Sequence, residues 1–207
     1  MRNLVFIDDD PTELVAFEKI VREDYHCKTV EWPGEESKLL EGPVPDIFVS
    51  DLYLPGPDGN KDPAADERRG AKKAATEVGE RFRQLFANQS LDDKERLQET
   101  MKTIDAAYDA LKLQWTAMGQ SPDYGVELFA RVKERYPNVP FVFYSRKITP
   151  EDVIHVLQEG AVDAIRKGAL GKHEVLARLV RAQEIFHGSE AQRTRNQGLN
   201  ANVTLIR

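Results

Sequence analysis

The chain of 207 residues has few of the residues that build disulfide frameworks and zinc sites. It contains one cysteine, Cys27, and four histidines that are scattered along the sequence. A single cysteine excludes a disulfide within the chain, and this set offers no cluster with the usual spacing of zinc ligands. Disulfide-stapled and zinc-stabilised domains are therefore excluded.

Long apolar runs and an excess of positive charge are also missing. No run approaches the roughly 20 apolar residues that a membrane-spanning helix needs. The first apolar run, residues 4–7, ends in three aspartates and lacks the length and cleavage site of a signal peptide. The net charge of −6 disfavours nucleic acid as a partner. We therefore expect a soluble, cytoplasmic protein that binds neither membrane nor nucleic acid.

The sequence does contain a series of short apolar runs that predict buried strands. The runs are residues 4–7, 27–31, 47–50, 141–145 and 164–166. They are continuous rather than alternating, which is typical of parallel strands that are covered on both faces. Between them, helical spacing of apolar residues predicts helices at residues 12–22, 126–135, 150–159 and 172–186. This alternation predicts an α/β fold with a doubly wound, five-stranded parallel sheet.

One segment, residues 60–121, breaks the alternation because it has no strand pattern. Apolar residues recur there at alternating steps of four and three, which is the period of a coiled-coil seam. The seam residues are Ala71, Ala75, Val78, Phe82 and Leu85, then Leu97, Met101, Ile104, Tyr108, Leu111, Trp115 and Met118. We expect an antiparallel hairpin of two helices, each about 25 residues long, with a turn at residues 88–90 and Ser90 as N-cap.

The predicted organisation has three parts. An α/β domain comprises residues 1–59 and 122–187, and the hairpin of residues 60–121 is inserted into it. The remaining residues, 188–207, are predicted to form a loose polar tail, within which residues 203–206 could add a short strand.

Polar side chains follow the predicted strands at the points where the strands end. In chain order these are Asp8, Asp9 and Asp10, then Asp51, then Ser145, and finally Lys167. The carboxyl ends of parallel strands lie at one edge of a sheet, so we expect these side chains to converge.

Clustered carboxylates need a cation, and Mg²⁺ binds carboxylate and phosphate oxygens. An aspartate beside the metal can attack phosphorus, while an ammonium and a hydroxyl contact the phosphoryl oxygens. The set is suited to acyl-phosphate formation on an aspartate.

These residues and their neighbours resemble the motifs of the response-regulator receiver domains of two-component signalling. The matching segments are residues 7–11 (IDDDP), 46–55 (DIFVSDLYLP), 144–145 (YS) and 160–163 (GAVD), the last leading to Lys167. The resemblance covers about residues 1–59 and 123–186. It implies a CheY-like, flavodoxin-like fold in which Asp51 accepts a phosphoryl group.

The resemblance also implies a role for each residue of the site. Asp51 and Asp9 would bind Mg²⁺ directly, Asp8 would bind it directly or through water, and the main-chain carbonyl of Tyr53 would complete the protein ligands. Ser145 would move toward the phosphoryl group, and Lys167 would contact it. Asp10 would have no core role, and we expect it to be a polar loop residue or a helix-start residue. A histidine kinase or phosphotransfer protein would donate the phosphoryl group. The chain would act as a stand-alone phosphoacceptor of a phosphorelay and not as an enzyme.

The chain departs from the receiver pattern at three positions and in the insertion. Gly168 replaces the usual proline after the lysine, and Ala164 replaces the aromatic switch residue. Arg146 replaces a small residue, and it could cover the site, bind the phosphate, pair with acids of the insertion, or belong with Lys147 to a solvated basic loop. The hairpin favours output through protein contacts, including a homodimer in which two hairpins form a four-helix bundle.

Two other functions remain open from the sequence. The first is a pseudo-receiver that never takes phosphate and serves as an interaction module. The second is a phosphatase like the haloacid dehalogenases, with Asp8 as nucleophile, Asp10 as general acid/base and the hairpin as a cap. The order of the motifs argues against this enzyme, because its acidic motif would follow the lysine, whereas Asp51 precedes Lys167.

Overall fold

A computed structural model of the chain describes residues 1–56, 65–88 and 91–204. It divides into two compact units. The sheet unit comprises Met1–Leu54 and Pro122–Arg207, and the hairpin unit comprises Pro55–Ser121. Residues 57–64 and residues 89–90, which include the predicted N-cap Ser90, lie outside the described residues.

The strands are, in chain order, β1 (Arg2–Asp8), β2 (Tyr25–Glu31), β3 (Ile47–Ser50), β4 (Leu54–Pro55), β5 (Gln120–Ser121), β6 (Phe141–Ser145) and β7 (Asp163–Arg166). The helices are α1 (Pro11–Val21), α2 (Ala65–Ala87), α3 (Asp93–Thr116), α4 (Pro122–Arg135), α5 (Pro150–Gln158) and α6 (Lys172–Thr204), with a 3₁₀ turn at Glu36–Leu40. All five predicted strands are present, so the predicted α/β fold is confirmed.

The main sheet is parallel throughout, with the strand order β2-β1-β3-β6-β7. The chain moves outward from β1 to β2 and then returns across β1 to β3, so the strand order reverses beside β1. In doubly wound sheets this reversal opens a crevice at the carboxyl ends of the strands. The ends of β1 and β3 therefore define the place where a ligand site is expected.

Helices cover the sheet on both faces, as the continuous apolar strands predicted. On one face, residues of α1 and α6 form a buried cluster with alternate strand residues, and the ring of Phe17 stacks on Phe6 with 4.1 Å between ring centroids. On the other face, Phe129 of α4 lies 4.8 Å from Phe141 and 5.8 Å from Phe143. Because successive strand residues point to opposite faces, β6 contributes to both halves of the core.

In the hairpin unit, α2 and α3 pack against each other, and the helices are close to the predicted length. Helix α3 begins at Asp92, whose carboxylate accepts the Glu95 N–H while the Glu95 carboxylate accepts the Asp92 N–H. This capping box satisfies two N–H groups at the helix start and therefore places the N-cap two residues after Ser90.

The predicted seam residues differ in burial between α2 and α3. Ala71 and Leu85 of α2 are buried, as expected. On α3, however, the buried residues are Thr103 and Ala110, followed at the same spacing by Ala117, while the large apolar residues of the predicted seam are mostly exposed. Small side chains let two helix backbones approach closely, whereas the bulky residues of the adjacent stripe would hold them apart.

Helix α6 is longer than predicted. It runs from Lys172 to Thr204, so most of the segment that we expected to be a loose tail is helical, including part of the expected short strand. Over the residues that the structure describes, no helix combines the length and the hydropathy that crossing a bilayer requires.

Candidate functional site

The carboxyl ends of four parallel strands bring the site residues together. Asp8 ends β1, Asp51 follows β3, Ser145 ends β6 and Lys167 follows β7. Backbone hydrogen bonds continue the sheet into the site, because the Asp51 N–H donates to Ile7 (2.9 Å) and the Lys167 N–H donates to Ser145 (3.0 Å). The positions of these side chains are thus fixed by the sheet itself.

Lys167 joins the two buried aspartates. Its Nζ lies 2.5 Å from Asp8 Oδ2 and 2.9 Å from Asp51 Oδ2, and Glu13 Oε2 of α1 is 3.8 Å away. Asp8, Asp51 and Lys167 are all buried. One ammonium therefore faces two buried carboxylates, which leaves the group with an excess of negative charge.

The electrostatics of the site show the cost of that excess charge. Burial, followed by the charge of Asp51, raises the pKa of Asp8 from 3.8 to about 7. For Lys167, burial alone would lower the pKa, but the carboxylates of Asp51 and Asp8 outweigh burial and raise it. Lys167 thus stays charged, while Asp8 is hard to ionise without a further cation.

The acidic residues fit a hard divalent cation. Asp8, Asp9 and Asp51 each offer a carboxylate oxygen, and these three oxygens lie within 4.8 Å of one another. One oxygen in each of two of these carboxylates is oriented by the backbone, because the Asp10 N–H donates to Asp8 Oδ1 (3.0 Å) and the Tyr53 N–H donates to Asp51 Oδ1 (3.1 Å). Oxygen ligands are those that Mg²⁺ prefers.

A hydroxyl without a partner lies at the end of β6. Ser145 is fully buried, and its Oγ has no hydrogen-bond partner within the described part of the chain. Buried polar groups are almost always hydrogen-bonded, and an exception asks for a physical reason. A phosphoryl oxygen on Asp51 would be a suitable acceptor.

Tyr53 connects the site to the start of α5. Its ring is buried, and its hydroxyl donates to Asp152 Oδ2 at 2.8 Å. The same carboxylate oxygen accepts the Thr149 N–H (2.9 Å), and the Thr149 hydroxyl accepts the Asp152 N–H, which completes the capping box of α5. Burial and the hydrogen bond to Asp152 raise the pKa of the phenol, so it remains a donor. Tyr53, the second residue after Asp51, is thereby tied to helix α5.

The two basic residues after Ser145 differ in exposure, because Arg146 is exposed and Lys147 is not. Arg146 pairs with Glu13 of α1. Lys147 is half-buried, with Nζ 5.9 Å from the centre of the Tyr53 ring, and burial lowers its pKa. Glu13 and Asp152 were not predicted to belong to this neighbourhood, and Lys147 was considered only as part of a solvated basic loop. The position of Glu13 in the first turn of a helix that starts at the site was the available signal.

Two other predicted features have clear structural counterparts. Asp10 is the N-cap of α1, and its carboxylate accepts the backbone N–H (2.8 Å) and the hydroxyl (2.6 Å) of Thr12, so its role as a helix-start residue is confirmed. Gly168, which follows Lys167, has φ = 75°. Glycine adopts this left-handed region at little cost, whereas proline cannot adopt it.

No protein-family model matches the chain, and no curated protein matches it. Solved receiver domains do match. A CheY-like receiver domain protein from Methanospirillum hungatei JF-1 has a TM-score of 0.52 at 13% identity, over 91% of this chain and 98% of that one. The signal receiver domain of an HD domain-containing protein from Pseudomonas fluorescens Pf-5 has a TM-score of 0.51 at 13% identity, over 90% and 98%.

A third match is a response regulator from Burkholderia pseudomallei that was solved with a phosphorylated aspartic acid, a calcium ion and citrate. Its TM-score is 0.50 at 13% identity, over 93% of this chain and 75% of that one. At these identities the likeness concerns the fold. The chain therefore has the fold of CheY-like response regulator receiver domains, with a helical hairpin inserted after β4.

Proposed function

We propose that this chain is a response regulator receiver that accepts a phosphoryl group on Asp51 from a histidine kinase or phosphotransfer protein. The observation that carries the proposal is the buried Lys167 ammonium, which contacts both Asp8 and Asp51. An ammonium in this position can neutralise charge on a phosphoryl group attached to Asp51. The fold supports the same function, because it is shared with receiver domains.

Mg²⁺ is the cofactor that we propose. Asp8, Asp9 and Asp51 would hold it, together with the main-chain carbonyl of Tyr53, and the ion would supply positive charge for the phosphoryl oxygens. The raised pKa of Asp8 supports this assignment, because a cation at the site would make its ionised form favourable.

The transfer itself is a displacement at phosphorus. An Asp51 carboxylate oxygen forms the new P–O bond, while the P–N bond of a phosphohistidine donor breaks and its imidazole leaves with the electron pair. Lys167 remains protonated throughout and pairs with a phosphoryl oxygen. Asp8 remains close to Lys167, which keeps the ammonium oriented.

Output would follow from the buried Ser145 hydroxyl. When it donates to a phosphoryl oxygen, Ser145 moves and draws the segment that leads to α5 with it. The usual aromatic switch position is occupied by Ala164, so we propose that contacts of the sheet unit and the hairpin carry the signal to protein partners.

The test is intact-protein mass after incubation with acetyl phosphate, with and without Mg²⁺. We expect one phosphoryl adduct on the wild type that requires Mg²⁺, and none on Asp51→Asn. Asp46→Asn is the matched control, because this exposed aspartate lies just before the same strand, and it should be phosphorylated like the wild type. A wild type without an adduct would instead indicate a pseudo-receiver.

A further inference from the structure

Helix α3 carries an exposed stripe of large apolar side chains. The stripe consists of Leu97, Met101, Ile104, Tyr108 and Leu111, and Met118 continues it just beyond the helix. Within α3 the exposed fraction of these residues runs from 38% for Ile104 to 63% for Leu97. Apolar surface of this extent on one helix usually marks a contact with another protein surface.

Helix α2, the other helix of the hairpin, does not cover this stripe. The buried residues of α3 and its C-cap are Thr103, Ala110 and Ala117, which are small and seven residues apart. Successive residues of a helix are about 100° apart around its axis, so this small-residue line lies beside the apolar stripe and not within it. Helix α3 thus has one face for α2 and a second apolar face that the hairpin leaves exposed.

The spacing of the stripe specifies the shape of its partner. Its residues alternate in steps of four and three, which is the pattern that packs against another helix in a left-handed coiled coil. A flat surface or an extended peptide would not require this period over four helical turns. The occupant is therefore helical.

The charges beside the stripe point to a second copy of the same helix. Asp105 and Lys112 lie on one flank, seven residues apart, and neither forms an ion pair with another described residue. In an antiparallel pair this flank meets the same flank of the partner, so each Asp105 would meet the partner helix's lysine at position 112. In a parallel pair it would meet the other flank, where Thr100, Ala107 and Gln114 carry no charge.

We propose that α3 is a homodimerisation helix, and that its exposed stripe pairs in antiparallel orientation with the same stripe of a second chain. The contact is isologous, so both copies bury the same surface and form two equivalent Asp105–Lys112 pairs. This interface belongs to the hairpin unit and does not depend on phosphorylation of Asp51.

The first test measures the molar mass of the unphosphorylated protein by sedimentation over a range of concentrations. Leu111→Glu places a charge in the stripe, and we expect its dimer dissociation constant to rise at least tenfold. Leu113→Glu is the matched control, because Leu113 is 49% exposed and lies about 200° around the same helix. We expect this variant to dimerise like the wild type, and circular dichroism verifies that both variants keep their helices. A monomeric wild type, or a Leu111→Glu variant that dimerises normally, would overturn the proposal.

The second test identifies the partner and its direction by charge reversal. Asp105→Lys and Lys112→Asp should each weaken the dimer, because each places like charges opposite one another. The double variant restores opposite charges only in an antiparallel pair of identical helices, so its dimer should recover toward wild-type strength. If each single change weakens the dimer and the double variant remains as weak, the antiparallel self-pairing is wrong.

Discussion

Removing the charge of Asp8 should stabilise the metal-free protein. Asp8 is buried beside Asp51, and both compete for the single ammonium of Lys167. The substitution Asp8→Asn keeps the shape of the side chain and removes its negative charge. Lys167 then pairs with Asp51 alone, which is a balanced buried ion pair.

The magnitude follows from the pKa of Asp8. Burial and Asp51 raise it from 3.8 to about 7, and one pKa unit corresponds to about 1.4 kcal/mol. Above pH 7 the ionised Asp8 therefore lowers the free energy of unfolding by up to about 4 kcal/mol. The Asp8 carboxyl binds its proton more tightly in the folded state than in the unfolded state. Its destabilising effect is therefore absent below about pH 4, grows as the pH rises, and is complete above about pH 7.

Urea denaturation with a chelator present measures this effect. At about pH 8 we expect Asp8→Asn to have a higher free energy of unfolding than the wild type, and at about pH 5 the gain should fall to less than half. Asp109→Asn, at an exposed position of α3, should change stability little at either pH. Mg²⁺ at a hundredfold excess over its dissociation constant should stabilise the wild type by about 2.7 kcal/mol, and the variant by less. A variant less stable than the wild type at pH 8, or a gain that is independent of pH, would refute the reasoning.

Three further substitutions test contacts around the site by the same denaturation assay. Tyr53→Phe removes the hydrogen bond to Asp152 and should cost about 1–3 kcal/mol; a loss of only a few tenths would show that this bond contributes little. Gly125→Ala should cost about 2 kcal/mol or more, because the new Cβ would lie 2.2 Å from the Leu52 carbonyl oxygen. Its control Gly79→Ala, where no neighbouring atom lies within 4 Å, should stabilise by about 0.5–1 kcal/mol, and equal effects would contradict the steric argument. Arg146→Ala should cost less than about 1 kcal/mol, since the guanidinium is mostly exposed; a larger loss would mean that its pairing with Glu13 supports the fold.

The fold could be predicted from the sequence because buried parallel strands have a distinctive pattern. A continuous apolar run predicts a buried strand. The polar residue at its end is then predicted to lie at the carboxyl edge of the sheet. This is why Asp8, Asp51, Ser145 and Lys167 could be placed together before the structure was known. The end of α5 could also be predicted, because a glycine with positive φ commonly follows a helix. Gly160 follows the predicted helix of residues 150–159, and its φ is 100°.

The contacts of the hairpin could not be predicted in the same way. Helix α3 has two adjacent stripes, one of large apolar residues and one of small residues such as Thr103 and Ala110, and both have the seven-residue repeat. Periodicity shows that a face is apolar but does not show which partner covers it. Which of the two stripes of α3 packs against α2 depends on how closely the two helices approach, and this distance is a property of the packed pair.

Contacts between distant segments were likewise outside the reach of sequence patterns. Tyr53 meets Asp152, and Arg146 meets Glu13, across separations of 99 and 133 residues. Each contact depends on the position of one helix, α5 for Asp152 and α1 for Glu13, relative to the sheet. The length of α6 was missed for a different reason, because a polar sequence without an apolar stripe gives no pattern for the helix.

The most direct test of the central claim is to locate the phosphoryl group. Borohydride reduces an aspartyl phosphate to homoserine, which peptide mass spectrometry can assign to one position after treatment of the protein with acetyl phosphate and Mg²⁺. We predict homoserine at position 51, with Asp8 and Asp9 unchanged. Homoserine at position 8 would contradict the receiver assignment and favour the phosphatase chemistry in which Asp8 is the nucleophile.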